Sequence, residues 1–177
     1  MIGQLLLNNK VFLILIQQIF RQVEFKMKLF FLIFIFLGAI INCAVAKIKI
    51  IDGDSFWLKE QEIRLEGIDA PEYNQQCYDE KENLYDCGRK ATEHLRRLIK
   101  NDVKCIQTAK DKYKRKVMIC ESNGKIINKE MVASGWAVAY TQYTKEYIND
   151  ERLAKKTKKG VWQGRFMRPE LFRALTY

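Results

Sequence analysis

The chain has 177 residues and a formal net charge of +10, with 31 Lys and Arg residues against 21 Asp and Glu residues. This length supports one domain with a substantial hydrophobic core and leaves too few residues for two full domains. The positive charge favours polyanionic partners such as nucleic acids, but it does not specify a fold. A basic protein without a nucleic-acid role is the alternative that charge alone leaves open.

The first 46 residues differ in composition from the rest of the chain. They hold only four of the 31 basic and one of the 21 acidic residues, so the remainder, 47–177, keeps a net charge of +7. A basic start at Met27 precedes an apolar run that ends in Ala-Val-Ala at 44–46. This order is typical of a secretory signal peptide, and it predicts that translation begins at Met27.

The predicted organisation is therefore a leader at 1–46 and a soluble domain at 47–177. The apolar run is also close to the shortest length that spans a membrane, so an uncleaved anchor is the alternative. With cleavage, the protein is expected to be secreted or periplasmic. Without it, the domain is expected to lie outside the cell on a single-pass membrane anchor.

Hydrophobic periodicity predicts a mainly β domain with helices, of the α+β class. The predicted strands are 47–51, 55–58, 62–68, 103–108 and 116–121, with a short extended run at 136–140, and the predicted helices are 89–100, 127–134 and 147–159. Gly135 and Gly160 are expected to end the last two helices. Five short strands with intervening helices suit a closed five-stranded barrel of the OB type, whose surface often binds nucleic acids.

Four cysteines follow the leader, an even number that fits disulfide bonds in an exported protein. Cys105 and Cys120 are symmetric about a predicted turn at 112–113, so they are expected to face each other across two antiparallel strands. Cys77 and Cys87 flank a polar segment that is predicted to contain no strand, and a bond between them would close this loop. Metal binding is the competing interpretation, but no pair has the close spacing of a zinc site.

Acidic residues and an arginine recur where the first strands end. Asp-Gly-Asp-Ser at 52–55 is followed by Arg64 and by Asp-Ala-Pro-Glu at 69–72. Such a cluster can hold a divalent cation, activate a water molecule and receive a phosphate. Asp-Lys-Tyr-Lys-Arg at 111–115 supplies a second arginine. Together these segments predict an enzyme that cuts nucleic acid.

From about Lys47 to Trp162 the chain resembles the staphylococcal-nuclease-like (thermonuclease) family. The segments that carry the resemblance are Asp-Gly-Asp-Ser at 52–55, Arg-Leu at 64–65, Ile-Asp-Ala-Pro-Glu at 68–72, Gly-Arg-Lys-Ala at 88–91, Asp-Lys-Tyr-Lys-Arg at 111–115, Ile-Asn at 127–128, Met-Val-Ala-Ser-Gly at 131–135 and Val-Ala-Tyr at 138–140. The resemblance implies an OB-type five-stranded barrel with three helices. It also implies Ca²⁺-dependent hydrolysis of DNA and RNA that leaves 3′-phosphate ends.

The resemblance implies three metal ligands. Asp54 and Asp69 match the calcium-binding carboxylates of the family, and the backbone carbonyl of Ala70 matches a third protein ligand. Ca²⁺ binds about six to eight hard oxygen ligands, so water and a phosphate oxygen can complete this set. Asp52 is expected to cap the turn at Gly53 rather than to bind metal.

The resemblance also implies the catalytic residues. Glu72 matches the general base, and the rigid residue Pro71 before it fixes its direction. Arg64 and Arg115 match two arginines that bind the phosphate, where a guanidinium fork matches the developing charge. The family usually has glycine where this chain has Lys114, which makes the position of Arg115 the less firmly matched of the two.

Lys112, Tyr113 and Tyr140 match positions beside the bound nucleotide, and a core role for Tyr140 is the alternative. The expected partners are DNA and RNA, without an obligate protein partner, and the chain is expected to be a monomer. A catalytically inactive nucleic-acid-binding module is the rival function. Such relatives are expected to lack some of the acids or arginines, whereas this chain has all five. A third interpretation, a membrane-tethered surface adhesin, is supported only by the leader.

Overall fold

The computed structural model describes residues 18, 20–32, 48–100 and 102–176 of the chain. The chain divides into two units, Met1–Ala44 and Val45–Tyr177. In the first unit, residues 20–32 form a helix (α1) whose side chains are exposed. None of the described helices is long and apolar enough to cross a membrane. The predicted cleavage site at 44–46 lies outside the described residues, so the leader and its cleavage remain predictions.

The described residues of the second unit form ten short strands. They are β1 (Ile48–Ile50), β2 (Ser55–Leu58), β3 (Gln61–Leu65), β4 (Ile68–Asp69), β5 (Cys77–Tyr78), β6 (Leu84–Tyr85), β7 (Lys104–Lys110), β8 (Lys116–Ser122), β9 (Lys125–Ile126) and β10 (Val138–Ala139). Six of them form one sheet in the order β1-β2-β3-β8-β7, with β9 also paired to β8. The pairing is antiparallel except between β3 and β8, which are parallel.

Four α-helices and a 3₁₀ helix accompany these strands. They are α2 (Cys87–Leu98), α3 (Ile127–Ala133), α4 (Ile148–Lys156), the 3₁₀ helix Gly160–Gln163 and α5 (Pro169–Thr176). The predicted α+β class and all three predicted helices are confirmed, while α5 was not predicted. The closed barrel stays a prediction, because β1 and β7 are the two ends of the hydrogen-bonded path among the described strands.

The main core lies between the sheet and the helices α2 and α3. Its fully buried members include Phe56, Ile63, Leu65, Ile68, Leu95, Met131 and Val132. Burial of each such side chain stabilises the fold by about 1.5–3 kcal/mol. A second cluster joins Val161 of the 3₁₀ helix to Cys77 and Cys87. The two clusters hold the strands that carry the charged residues described below.

Both predicted disulfide pairings are confirmed. Cys105 and Cys120 are direct partners in the β7–β8 register and are bonded to each other, as the predicted hairpin requires. Cys77 is bonded to Cys87 at the start of α2. The bond therefore closes the loop that follows the acidic segment at 69–72.

Two details of the predicted strands are wrong. The segment between Cys77 and Cys87 contains the antiparallel strands β5 and β6. Each is only two residues long, which is too short to produce a periodic pattern, and Asp79 accepts backbone hydrogen bonds that shape the turn between them. The predicted strand at 62–68 is also interrupted, because Gly67 has φ +70° and separates β3 from β4. β4 pairs with β10 instead.

Candidate active site

The turn before β2 places Asp54 in the interior. Asp52 Oδ1 accepts hydrogen bonds from the backbone N–H of Asp54 (3.0 Å) and from the N–H and hydroxyl of Ser55 (2.8 and 2.6 Å). Asp52 thus caps the turn, as expected from the sequence. A Cβ atom at Gly53 would lie 2.6 Å from Cβ of Ala70, so glycine is needed for the turn to approach β4 this closely.

Arg64 bridges the two carboxylates that the sequence singled out as metal ligands. Its Nη2 donates to Asp69 Oδ1 at 2.8 Å, and its Nη1 forms a close ion pair with Asp54 Oδ1. Asp54 Oδ2 accepts a 2.6 Å hydrogen bond from the backbone N–H of Ala70. Asp54 and Asp69 are both 1% exposed. Buried carboxylates require such partners, because an unpaired buried charge is costly.

A buried glutamine holds the segment that carries Glu72. The backbone N–H of Glu72 donates to Gln75 Oε1 at 3.2 Å, and the N–H of Gln75 donates to the Glu72 carbonyl at 2.8 Å. Gln75 Nε2 donates to the carbonyl of Met167 at 2.7 Å. A Cβ atom at Gly88 would overlap the Glu72 carbonyl, so α2 approaches this segment as closely as glycine allows. Nothing in the local sequence distinguished Gln75 from a surface glutamine.

Arg173 of α5 is a further site residue, and sequence reasoning missed it. Its Nη1 donates to Glu72 Oε1 at 2.7 Å and to Asp69 Oδ1 at 2.9 Å, and its Nη2 donates to Asp69 Oδ2 at 3.1 Å. Burial opposes its charge, but the hydrogen bonds to these two carboxylates outweigh burial and raise the pKa of Arg173. Arg173 lies beyond the segment that resembles the nuclease family, and a lone arginine in a helix carries no sequence signal of this role.

Arg115 is held by its own segment rather than by the acids around Arg64. Its Nε donates to Asp111 Oδ2 at 2.7 Å, and its backbone N–H donates to Asp111 Oδ1 at 2.9 Å. Burial raises the pKa of Asp111, but the hydrogen bonds from Arg115 outweigh burial, so the net shift is downward. The guanidinium also lies over the ring of Tyr113, 5.6 Å from its centroid. These contacts fix the direction of the Arg115 side chain.

The predicted catalytic and substrate-binding side chains all line one cleft of about 740 Å³. The predicted residues that line it are Arg64, Glu72, Lys112, Tyr113, Arg115 and Tyr140. Arg173 lines the same cleft. The predicted metal ligands Asp54, Asp69 and Ala70 are buried, and Asp69 adjoins the cleft through its bonds to Arg64 and Arg173.

Aromatic rings face this cleft from two segments. Tyr113 is 69% exposed, and Lys112 Nζ lies 5.0 Å from the centroid of its ring. Tyr140 packs against Tyr143 with ring centroids 5.3 Å apart, and its hydroxyl donates to Gln142 Oε1 at 3.2 Å. Tyr140 is half-buried, lies outside the hydrophobic core and lines the cleft.

The residues present fit a hard divalent cation. Within 48–100 and 102–176, no three His, Cys, Asp or Glu side chains converge as a metal cage. The donor set of Asp54, Asp69 and the carbonyl of Ala70 consists of oxygens only, which is the chemistry that Ca²⁺ and Mg²⁺ prefer. A cation held by so few protein ligands keeps room for water and for a substrate oxygen.

Residues 62–164 match the family model for staphylococcal nuclease homologues, and the chain belongs to this family. It is similar to an uncharacterized endonuclease from Haemophilus influenzae (32% identity, 68% of this chain and 66% of the relative). It is also similar to a succinoglycan biosynthesis protein from Rhizobium meliloti (29% identity, 67% and 64%). A probable staphylococcal-like nuclease from Oryza sativa subsp. japonica is 29% identical over 62% of this chain and 21% of its own length. The chain thus spans less than two thirds of the length of these relatives.

Proposed function

We propose that this protein is a Ca²⁺-dependent nuclease that hydrolyses phosphodiester bonds of DNA and RNA and leaves 3′-phosphate ends. The observation that carries the proposal is Arg64, which bridges Asp54 and Asp69 and lines the same cleft as Glu72. An arginine can stabilise charge on a phosphate, buried carboxylates can hold a metal ion, and an accessible carboxylate can take a proton from water, so this set can support hydrolysis of a phosphodiester. Membership of the nuclease family supports the same activity.

Arg64 and Arg115 bind the phosphate in this proposal. A guanidinium has five N–H donors. Three of those on Arg64 face Asp69, Asp54 and the carbonyl of Ile68, so the rest can face a phosphate in the cleft. Charge on the equatorial oxygens grows in the transition state, and fixed forked donors stabilise that charge. Asp111 serves to keep Arg115 in place for this contact.

Glu72 acts as the general base. Its side chain is 20% exposed, so water can reach the carboxylate from the cleft. The carboxylate accepts a proton from the attacking water as the water oxygen bonds to phosphorus, and the bond to the 5′ oxygen breaks. The leaving oxygen takes up a proton from water in the cleft and becomes a 5′-hydroxyl, while the phosphate remains on the 3′ side, and Glu72 afterwards returns its proton to the solvent. Gln75 keeps the backbone of Glu72 in position throughout.

Asp54, Asp69 and the carbonyl of Ala70 hold the metal ion. When bound, Ca²⁺ supplies positive charge near the phosphate and lowers the pKa of a water molecule that contacts it. The hydrogen bond from the Ala70 N–H to Asp54 keeps the first carboxylate beside β4. The two carboxylates come from β4 and from the turn before β2, so the fold itself brings them together.

Tyr113 and Tyr140 supply flat surfaces on which bases can stack, and Lys112 adds positive charge beside Tyr113. Stacking on an aromatic ring is tolerant of sequence because every base has a π face. This favours single-stranded DNA and RNA alike as substrates for a monomeric enzyme. The ring of Tyr113 is 69% exposed, which leaves it accessible to a ligand.

We also propose that the protein acts outside the cytoplasm, either secreted or periplasmic, or tethered by its leader. The two disulfide bonds support this location, because such bonds persist in oxidising compartments. N-terminal sequencing of the exported protein is the test. A new N-terminus at Lys47 supports cleavage, and an intact N-terminus in the membrane fraction supports the anchor. Cytoplasmic protein with four free thiols would contradict both.

Incubation with end-labelled single-stranded DNA and RNA tests the proposed activity. Cleavage in Ca²⁺ that stops when EGTA is added supports the nuclease. Cleavage that continues at the full rate in EGTA contradicts the metal site. Tight binding without cleavage supports the rival function, a nucleic-acid-binding module that has lost catalysis.

A further inference from the structure

Arg173 occupies the carboxylate on which the proposed metal site depends. Asp69 Oδ1 accepts from both Arg64 and Arg173, and Asp69 Oδ2 accepts from Arg173. An ionised carboxylate has about four acceptor positions, so these bonds nearly saturate it. A cation that binds Asp69 must therefore compete with the guanidinium groups of Arg64 and Arg173, and Arg173 contacts both carboxylate oxygens.

The same guanidinium also occupies Glu72. Nη1 of Arg173 lies 2.9 Å from Asp69 Oδ1 and 2.7 Å from Glu72 Oε1. A single nitrogen thus bridges the proposed metal ligand and the proposed general base. A metal ion on Asp69 and a water molecule on Glu72 need this same space. A divalent cation close to the guanidinium also meets like-charge repulsion.

Helix α5, which carries Arg173, is weakly packed. Pro169 is its only buried residue, while Leu171 is 52% and Leu175 is 68% exposed. The segment before α5 is held independently, since Gln75 donates to the carbonyl of Met167. The helix can therefore leave the cleft while the preceding chain stays in place. Among the described residues, the side-chain hydrogen bonds that join α5 to other elements all come from Arg173.

We propose that Arg173 is a tethered competitor of the metal ion, which holds α5 over Asp69 and Glu72 until Ca²⁺ displaces it. This inference rests on the metal site of the proposed function. It gives α5 a role as a cover that closes the acidic site in metal-free protein and is released when the metal binds.

Calorimetric titration with Ca²⁺ alone, without nucleic acid, tests the competition. Arg173→Gln is expected to bind Ca²⁺ about tenfold more tightly than the native protein, which corresponds to about 1.4 kcal/mol at 25 °C. Arg173→Lys keeps the charge but loses the fork, so an intermediate affinity is expected. Arg168→Gln is the matched control. It removes the same charge from the same segment, where Arg168 lies 3.5 Å from Glu151 and not on the site.

Hydrogen exchange of the native protein gives a second test that needs no variant. Amides of 169–176 are expected to exchange faster once Ca²⁺ is bound, while those of β3 and β8 do not. Equal Ca²⁺ affinity in native and Arg173→Gln protein, or slower exchange of α5 with Ca²⁺, would overturn the competition and leave the metal site standing. An equal gain in Ca²⁺ affinity in Arg168→Gln would show that the gain comes from the lower net charge of the protein, and it would also overturn the competition. If none of the proteins binds Ca²⁺, the metal site of the proposed function fails and the competition fails with it.

Discussion

Arg64 Nη2 lies 2.8 Å from Oδ1 of Asp69, and this ion pair joins β3 to β4 at the inner edge of the cleft. The same side chain also contacts Asp54. One arginine therefore contacts two buried carboxylates and still lines the cleft. The pair serves the fold and the proposed chemistry together, so the two roles must be separated by experiment.

Arg64→Lys separates these roles because it keeps the charge and removes the fork. Cleavage is expected to fall by about 10²–10³, as when one fixed donor to a developing anion is lost. The free energy of unfolding is expected to fall by only about 1–2 kcal/mol, since one carboxylate loses a hydrogen bond. Initial rates and urea denaturation measure the two effects. Arg96→Lys on the exposed face of α2 is the matched control. A native cleavage rate in Arg64→Lys would show that Arg64 has a structural role and no catalytic one.

Asp111→Asn tests whether Asp111 positions Arg115 for catalysis. Loss of the charged hydrogen bond to Nε frees the guanidinium, and cleavage is expected to fall by about tenfold to hundredfold. Arg115→Lys is expected to be at least as damaging. If the two residues act as one unit, the double variant falls little further than Arg115→Lys alone. Effects that multiply in the double variant would show that Asp111 acts independently of Arg115.

The disulfide bonds are expected to affect stability more than activity. Cys105–Cys120 joins β7 to β8, and Cys77–Cys87 closes the loop after Glu72. None of these cysteines lines the cleft that holds the proposed phosphate site. Each bond is worth about 3 kcal/mol of folding free energy. Replacement of the Cys105 and Cys120 pair by serine is expected to lower the Tm by about 10 °C, with cleavage at 25 °C nearly unchanged. Calorimetry and initial rates decide this, and an unchanged Tm would contradict the prediction.

His94 makes the folded state sensitive to acid. Burial and the nearby charge of Arg97 lower the pKa of His94 from 6.5 to about 4. Between about pH 6.5 and 4, the unfolded chain therefore binds a proton on His94 that the folded protein does not bind. The free energy of unfolding falls as the pH drops through this range. Above pH 6.5, His94 contributes no pH dependence. The full shift corresponds to about 3 kcal/mol, which partial exposure reduces to about 1–2 kcal/mol.

Urea denaturation at pH 7 and pH 4.5 measures this contribution. The native protein is expected to lose about 1–2 kcal/mol more between these pH values than His94→Gln does. Carboxylates titrate in both proteins, so their contribution cancels in the comparison. Equal losses in the two proteins would show that the folded protein binds a proton on His94 as readily as the unfolded chain.

The sequence predicted the parts of the site that lie in short continuous segments. Asp54, Arg64, Asp69 and Glu72 stand beside strand ends and turns, where periodicity and turn residues locate them. Arg115 is also near its structural partner Asp111 in the chain. The structure places all the predicted catalytic and substrate-binding side chains around one cleft, while their roles remain proposals.

The remaining features depend on contacts between distant segments. Arg173 is 101 residues from Glu72, and Gln75 is 92 residues from Met167. A hydrogen bond over such a separation leaves no local pattern, because it depends on how whole elements pack. The strands β5 and β6 were missed for a different reason, since strands of two residues show no alternation. Regular local patterns were thus predictable from the sequence, and the contact of Arg173 with Asp69 and Glu72 was not.

The role proposed for Glu72 is that of the general base in a Ca²⁺-dependent phosphodiesterase. Single-turnover cleavage of end-labelled single-stranded DNA by native protein and Glu72→Gln, each with its Ca²⁺ affinity measured, tests it most directly. Glu60→Gln, in an exposed turn, is the matched control. The native protein is expected to give 3′-phosphate and 5′-hydroxyl products in Ca²⁺ and no cleavage in EGTA. In Glu72→Gln the cleavage rate is expected to fall by about 10²–10⁴, with Ca²⁺ binding retained. Native-rate cleavage by Glu72→Gln, or full activity in EGTA, would contradict it.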